Sequence, residues 1–192
     1  MARYFQELGA SIIDADRVGH ELIEPGREAY QEILQRFGEE VLDPAGIIDR
    51  RKLGARVFAN PEELGRLNAI LHPRIVARAD ELAHEFQARD PHAVVIVDAA
   101  LIFEAGMDER LCKVLVVWCR PKQQVERLMA KMGIPRKEAE RRIAAQMPAE
   151  EKRCRADYLI DSSGTLEQSH AQVAAIYPRL QRLLQEPGWT TP

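Results

Sequence analysis

ASIIDADRVGH at residues 10–20 joins a short apolar run to two carboxylates spaced two positions apart. The run ASIID at 10–14 has the length and apolar character of a buried strand, and ARYFQELG at 2–9 is typical of an amphipathic helix that ends at a glycine. A helix, a buried strand and then acids form a pattern of α/β proteins, in which ligands gather at the carboxyl ends of strands. Asp14 and Asp16 therefore mark a predicted functional edge.

Three more apolar runs predict strands. They are AVVIVDAALIF at 93–103, VLVVW at 114–118 and DYLID at 157–161. Each is too apolar for a strand with one face in water, so we predict that all are buried. Helical patterns alternate with them, at 28–41, 61–86, 123–132 and 136–146. This alternation predicts a parallel α/β sheet with helices on both faces.

Two segments depart from this simple alternation. Residues 21–90 contain helical patterns and no convincing strand, which predicts a separate, mostly helical lobe. Residues 120–155 hold 11 Lys and Arg against 5 Asp and Glu, although the whole chain carries a net charge of -3. Basic side chains on short helices suit a flap over a triphosphate, and a solvated helical hairpin with ordinary surface charge is the alternative. The tail at 187–192 is predicted to be frayed and flexible.

Composition excludes several classes of protein. A length of 192 residues with 46% hydrophobic composition is enough for a buried core. The net charge of -3 disfavours a general nucleic-acid binder. The three cysteines show no metal-site or disulfide-framework spacing, which favours a reducing cytoplasm. No segment approaches the roughly 20 apolar residues of a membrane span, so we expect a soluble protein with no membrane partner.

Three positions are candidates for proton transfer, metal binding or substrate binding. Asp16 can accept a proton from a substrate hydroxyl, and His20 is one helical turn away if a helix starts there. The alternative is that Asp14 or Asp16 simply caps the following helix. Asp98 ends the predicted strand AVVIVD, and it can hold Mg²⁺ through water or make an ordinary cap or core-edge hydrogen bond. His72 precedes Pro73, which predicts a break between helices there, and a lone histidine is often structural.

Four segments carry a family resemblance: FQELGASIIDADRVGHELIEPG, DRRKLGARVFANPEELGRLNAILHP, ALIFEAG and RRIAAQMPAEEKRCRADYLIDSSG. In that order they resemble the signatures of the dephospho-CoA kinase family, and together they cover nearly the whole chain. The resemblance implies an α/β P-loop kinase fold with a parallel sheet, flanking helices, a helical insertion and a small helical lid. The implied parts are a core at 1–20, 91–122 and 154–186, a CoA-binding lobe at 21–90 and a lid at 123–153.

The resemblance also implies an activity and the residues that perform it. The expected reaction is ATP-dependent phosphorylation of the ribose 3'-hydroxyl of dephospho-CoA to give CoA, the last step of CoA biosynthesis, with Mg²⁺ bound. Asp16 is similar to the family's catalytic aspartate, and Asp98 is the candidate metal residue. The implied substrate-binding residues are His20, Arg50, Asn68 and His72, and the implied ATP-lid residues are Lys131, Arg136, Arg142 and Gln146.

Three positions depart from the family pattern. Lys131 stands where the family usually has arginine, and a lysine offers a point charge instead of a bidentate fork. Ala100 replaces a common proline, and Ser162 replaces a common asparagine near the adenine site. We expect the change at Lys131 to matter most, for lid closure or rate.

The family's phosphate-binding loop is the largest departure. Members begin with a strand and G-x-x-x-x-G-K-[ST], whose amides and lysine hold the ATP phosphates. This motif does not occur in the 192 residues. The family's spacing puts it before Met1, so we expect about 17 residues, including the first strand, to be missing. Without that central strand we predict a gap in the sheet with unpaired edges, and little or no phosphotransfer.

Three readings of function follow from the sequence. The first is a dephospho-CoA kinase whose chain is truncated or assigned too late a start. The second is a non-catalytic CoA-binding or interaction protein derived from the kinase. The third is a kinase with the same fold that acts on another small hydroxyl or nucleotide acceptor.

Overall fold

The computed structural model describes residues 1–185, so the predicted flexible tail at 187–192 lies outside the described residues. In the described part the strands are β1 (Ser11–Asp14), β2 (Val95–Asp98), β3 (Leu115–Trp118) and β4 (Tyr158–Asp161). The helices are α1 (Ala2–Glu7), α2 (Ala15–Leu22), α3 (Glu28–Phe37), α4 (Arg50–Val57), α5 (Pro61–Arg89), α6 (Pro121–Met132), α7 (Arg136–Ala144), α8 (Ala149–Arg155) and α9 (Leu166–Leu183). Short 3₁₀ helices span Glu39–Val41 and Met107–Arg110. The predicted α/β class is confirmed.

The four strands form two pairs. Strand β3 runs parallel to β4, with Leu115 opposite Tyr158 and Trp118 opposite Asp161, and β1 pairs with β2. The prediction that the strands are buried was only partly right, because Ile160 is fully buried whereas Val117 is 45% exposed. A two-stranded sheet has two edges and cannot shield both faces of each strand.

Strand β2 is shorter than the apolar run that predicts it. The run AVVIVDAALIF extends to residue 103, but the strand ends at Asp98 and turns follow. In those turns Ala105 N donates to Leu101 O at 2.9 Å and Met107 N donates to Ile102 O at 2.9 Å. Phe103 is nevertheless buried. Apolar composition alone does not separate a strand from a turn that packs into a core.

The predicted break at His72 was wrong. Helix α5 continues from Pro61 to Arg89 with Pro73 inside it. Proline removes one backbone donor, and the helix loses the bond that this donor would make to the carbonyl of Ala69. One residue further on, Arg74 Nη1 donates to Ile70 O at 2.7 Å, which gives that carbonyl a side-chain partner. The long apolar pattern on both sides of the proline outweighs the local cost.

The chain divides into two compact units, each with its own core. The first comprises Met1–Ile12, Ala83–Ile96 and the chain from Leu101 onward, and the second comprises Ile13–Leu82 and Val97–Ala100. The first unit has a buried cluster of Phe5, Ala10, Val94, Ile160, Val173, Ile176 and Tyr177. The second has a buried cluster of Ile23, Tyr30, Ile33, Phe37, Val41, Ile48, Leu53 and Val57. Among residues 1–185, no helix combines the length and the hydropathy needed to cross a bilayer.

Candidate substrate site

The turn from β1 into α2 exposes two carboxylates. Asp14 is the N-cap of α2, and its side chain accepts a hydrogen bond from Arg17 N at 2.9 Å. The helix-cap reading of the sequence is therefore right for Asp14. Asp16 lies in the first turn of the helix with its side chain in solvent. Of the two acids, Asp14 is thus engaged as a helix cap, whereas Asp16 is exposed in the first turn.

Close packing fixes the position of α2 on α5. A Cβ atom built on Gly19 would lie 3.3 Å from Ile75 Cδ1, tighter than most carbon contacts. Glycine at this position therefore lets the two helices approach more closely than any other residue would. His20 follows Gly19 directly and lies one turn from Asp16, so these two predicted site residues share a face of α2.

Arg50 reaches this face from another helix. It is the first residue of α4, and Asp49 caps that helix by accepting from Arg51 N at 2.8 Å and Lys52 N at 3.2 Å. These hydrogen bonds lower the pKa of Asp49. Arg50 Nη1 lies 3.5 Å from His20 Nδ1. The structure thus brings together two residues that are 30 positions apart in the sequence.

The charges around His20 set its protonation state. Burial lowers its pKa below 6.5 and Arg50 lowers it further, while Asp16 and Asp14 act in the opposite direction. The ring is therefore neutral at pH 7. A guanidinium has only donors, so Nδ1 must accept from it and the ring proton belongs on Nε2. His20 can then donate from Nε2 to an oxygen of a ligand.

The other predicted substrate residues lie on α5. Asn68 and His72 are both half-buried. They are four residues apart and therefore share one face of the helix. Ile75, which contacts the α2 backbone region at Gly19, is three residues beyond His72. The face of α5 that carries these polar groups is thus close to the face that packs on α2.

Asp98 ends β2 and is exposed. It belongs to the same compact unit as Asp16, His20 and Arg50. Among the described residues, no group of three or more His, Cys, Asp or Glu is arranged to hold a metal ion. One exposed carboxylate is compatible with Mg²⁺, which keeps several waters and uses one or two carboxylates together with substrate phosphates.

The predicted lid residues belong to the other unit. Lys131 is exposed in the last turn of α6, and Arg136 begins α7, where it lies 3.4 Å from Glu140. Arg142 Nε lies 2.8 Å from Glu138 Oε1, and this hydrogen bond lowers the pKa of Glu138. In the described structure both arginines thus have carboxylate partners within α7.

Sequence reasoning missed the side chains that anchor this segment. Arg127 on α6 donates to the hydroxyl of Ser162 at 3.0 Å and to its carbonyl at 2.8 Å. Glu104 Oε1 accepts from Met147 N at 2.8 Å and lies 2.8 Å from Lys152 Nζ. A local sequence pattern does not predict contacts between residues more than 30 positions apart. By contrast, an aspartate directly before a helical pattern, such as Asp49, is a local signal for a helix N-cap.

An α/β core with parallel strands, together with a helical segment, agrees with the P-loop kinase fold that the sequence resemblance implies. Comparison with known proteins gives the family. A model of dephospho-CoA kinase matches residues 1–168. The chain belongs to the dephospho-CoA kinase family.

Individual relatives agree with this assignment. The chain is 42% identical to the dephospho-CoA kinase of Thermobifida fusca over 184 residues, which are 96% of this chain and 90% of that protein. It is similar to the solved structure of TT1252 from Thermus thermophilus, with a TM-score of 0.73, 32% identity and coverage of 93% and 89%. The dephospho-CoA kinase structure from Campylobacter jejuni has a TM-score of 0.63, 26% identity and coverage of 94% and 92%. The predicted fold and family are confirmed.

Proposed function

We propose that this chain binds dephospho-CoA and that its site directs the ribose 3'-hydroxyl to Asp16 for phosphorylation by ATP. The observation that supports this most strongly is the contact between His20 and Arg50 at 3.5 Å, on the helix face that also carries Asp16. Asp16 accepts the hydroxyl proton while the oxygen forms its bond to the γ-phosphorus. The bond from that phosphorus to ADP breaks, and the products are CoA and ADP.

The remaining residues bind and orient the acceptor. Arg50 is cationic and exposed, which suits the diphosphate or the ribose oxygens of dephospho-CoA. His20, neutral with its proton on Nε2, donates a hydrogen bond without adding charge beside Asp16. Asn68 and His72 supply polar contacts from α5. The segment 21–90 is therefore the proposed CoA-binding lobe.

For the donor nucleotide, the proposed lid is 123–153. Lys131, Arg136, Arg142 and Gln146 would bind the ATP phosphates, with Arg136 and Arg142 exchanging their glutamate partners for phosphate oxygens. Asp98 would hold Mg²⁺ through water, and this ion neutralises charge on the phosphates when bound. The three cysteines are free thiols in the described residues, which supports a cytoplasmic location.

Binding of the ATP phosphates also requires a G-x-x-x-x-G-K-[ST] segment. This motif does not occur in the 192 residues. Loss of its lysine and amides would cost several kcal/mol of transition-state stabilisation. We therefore propose that these 192 residues by themselves bind dephospho-CoA and turn over little or no ATP. A chain that also carries the family's segment would be a working kinase.

Calorimetry and a coupled ADP-release assay test this proposal together. We expect dephospho-CoA to bind the 192-residue chain, with no measurable ATP binding and no ADP release above background. Normal turnover would contradict the proposed need for the segment. Absence of dephospho-CoA binding, with binding of nucleoside monophosphates instead, would favour a kinase for another acceptor.

The role of Asp16 is tested in a chain extended by the family's phosphate-binding segment. Asp16→Asn should lower kcat by about 100-fold or more, because general-base catalysis contributes that much, and leave ATP affinity nearly unchanged. Asp14→Asn is the matched control, since Asp14 caps α2 and an asparagine also caps. If kcat is the same in wild type and Asp16→Asn, Asp16 is not the base.

A further inference from the structure

Glu63 is a largely buried carboxylate that joins three helices of the proposed CoA-binding lobe. Its side chain is only 13% exposed, near the start of α5. Oε1 lies 3.2 Å from Arg36 Nη2 on α3 and 2.8 Å from Arg66 Nη1 on α5, and Oε2 lies 3.5 Å from Arg56 Nε on α4. A carboxylate shielded from water stays ionised only opposite cations, so one anion holds three guanidinium groups together.

Arg56 carries this contact to α4. Its Nη1 also donates to Phe37 O, at the end of α3, at 2.6 Å and to Glu40 Oε1 at 2.7 Å. Glu40 is exposed and can follow the arginine, whereas Glu63 and the Phe37 carbonyl belong to other helices. The guanidinium of Arg56 is thus held between α3 and α5, and it ties one side of α4 to both of them.

The packing of α4 leaves a freedom of rotation that these contacts remove. Two of its residues, Leu53 and Val57, belong to the buried cluster of the lobe. They are four positions apart, so they form a single line of apolar contact about which a short helix can roll. Lys52 donates to Leu42 O at 2.5 Å, but from a flexible and exposed side chain. The planar guanidinium of Arg56, held from two sides, therefore fixes the roll most firmly.

The roll of α4 decides where Arg50 points. Arg50 is the first of the eight residues of α4, and Arg56 is six positions on, about 9 Å along the helix axis. A helix of two turns keeps its hydrogen bonds and moves as one body over this distance. Arg50 Nη1 lies 3.5 Å from His20 Nδ1, at the long end of hydrogen-bond distances. A small rotation of α4 would therefore break this contact.

We propose that Glu63 is a positioning residue for the acceptor site: through Arg56 it sets the orientation of α4 and so holds Arg50 against His20. The inference rests on the proposed function, in which Arg50 binds the charged end of dephospho-CoA. Glu63 itself touches no ligand. Its charge acts through one rigid helix, so the effect of its removal on binding is the effect of a displaced Arg50.

Titration of the His20 ring by NMR in the ligand-free 192-residue chain tests this link, with its resonances assigned by their absence in His20→Gln. Burial and Arg50 lower the pKa of His20, while Asp16 and Asp14 raise it. Glu63→Gln should raise this pKa, because α4 rotates and Arg50 recedes. Loss of the Glu63 charge without any movement would lower the pKa instead, since an anion favours the protonated ring. The sign of the change therefore separates displacement from a direct electrostatic effect.

Calorimetry on the same variants gives the consequence for binding. We expect Glu63→Gln to weaken dephospho-CoA binding about three- to tenfold, a part of the loss expected for Arg50→Met. In a chain that already carries Arg50→Met, Glu63→Gln should change neither the affinity nor the pKa of His20 any further. A residue that only stabilises the lobe would weaken binding equally in both chains.

Glu62→Gln is the matched control, because Glu62 is exposed and forms its ion pair with Arg66 on its own helix. It should change neither the affinity nor the pKa of His20. If Glu63→Gln does not fold, Arg56→Lys, which keeps the cation but not the planar fork, should shift both quantities in the same direction. An unchanged or lowered pKa, or additive losses of affinity, would overturn the inference while the proposed function stands. If the wild-type chain does not bind dephospho-CoA, the proposed function fails, and the titration still decides the link through α4.

Discussion

Glu104 joins the turn after β2 to the end of the proposed lid, and its removal should destabilise the unit that contains both. Its Oε1 accepts from Met147 N at 2.8 Å and lies 2.8 Å from Lys152 Nζ. The two charged side chains are only 19% and 15% exposed. These contacts are therefore largely shielded from water, and they hold the segment next to Gln146.

The magnitude follows from the groups that lose a partner in Glu104→Ala. Met147 N–H loses its acceptor, which costs about 1–3 kcal/mol for a buried donor. The ion pair with Lys152 adds about 1 kcal/mol, more than a surface pair and less than a fully buried one. The total is about 2–4 kcal/mol. For a chain of this size that corresponds to a Tm lowered by about 4–16 °C.

Urea unfolding monitored by Trp118 fluorescence measures this loss. Trp118 Nε1 donates to Glu150 on α8 at 2.9 Å, so its environment reports on the same region. Glu104→Gln keeps an oxygen acceptor for Met147 and should recover at least half of the stability. In a double-mutant cycle with Lys152→Met we expect a coupling of about 1 kcal/mol. A Glu104→Ala variant as stable as wild type would refute the assignment of Glu104 as an anchor.

Two further predictions concern other contacts. His20 has a folded pKa below its unfolded value of 6.5, so the unfolded chain binds the proton first and stability is lost as pH falls from about 6.5 through the lowered pKa. Calorimetric scans should show that the Tm of His20→Gln falls less than the Tm of wild type between pH 7.5 and 5.5, and equal losses would contradict this. Arg127→Met removes two hydrogen bonds to Ser162 and should lower stability by about 1–3 kcal/mol in urea. Lys122→Met, an exposed position on the same helix, should change stability by less than about 0.5 kcal/mol, and equal effects would contradict the anchoring role.

Local patterns predicted the elements better than their ends. All four strands occur where apolar runs predict them, because a run of that kind must be buried somewhere. The apolar run that contains β2 predicts too long a strand, because its residues beyond Asp98 lie in turns, where Phe103 is still buried. The break predicted before Pro73 is wrong, because the free-energy cost of one missing backbone hydrogen bond is small compared with the packing energy of a 29-residue helix.

The candidate site was predictable only in part from spacing. Asp16 and His20 are one helical turn apart, so their common face follows from the sequence once a helix begins at 15. Arg50 came from the family resemblance, because no local pattern relates it to His20. Anchors such as Arg127 with Ser162 depend on tertiary packing between distant segments. The roles assigned to these residues in catalysis stay predictions.

Binding of dephospho-CoA to Arg50→Met tests the central claim most directly, namely that the face shared by α2 and the start of α4 is the acceptor site. Arg51→Met is the control, because Arg51 is exposed and is the next residue of the same capped helix. By calorimetry we predict that Arg50→Met weakens binding about 10- to 100-fold, as expected for loss of a charge-assisted contact, and that Arg51→Met changes it less than about threefold. Equal effects of the two substitutions, or wild-type affinity in Arg50→Met, would contradict the account.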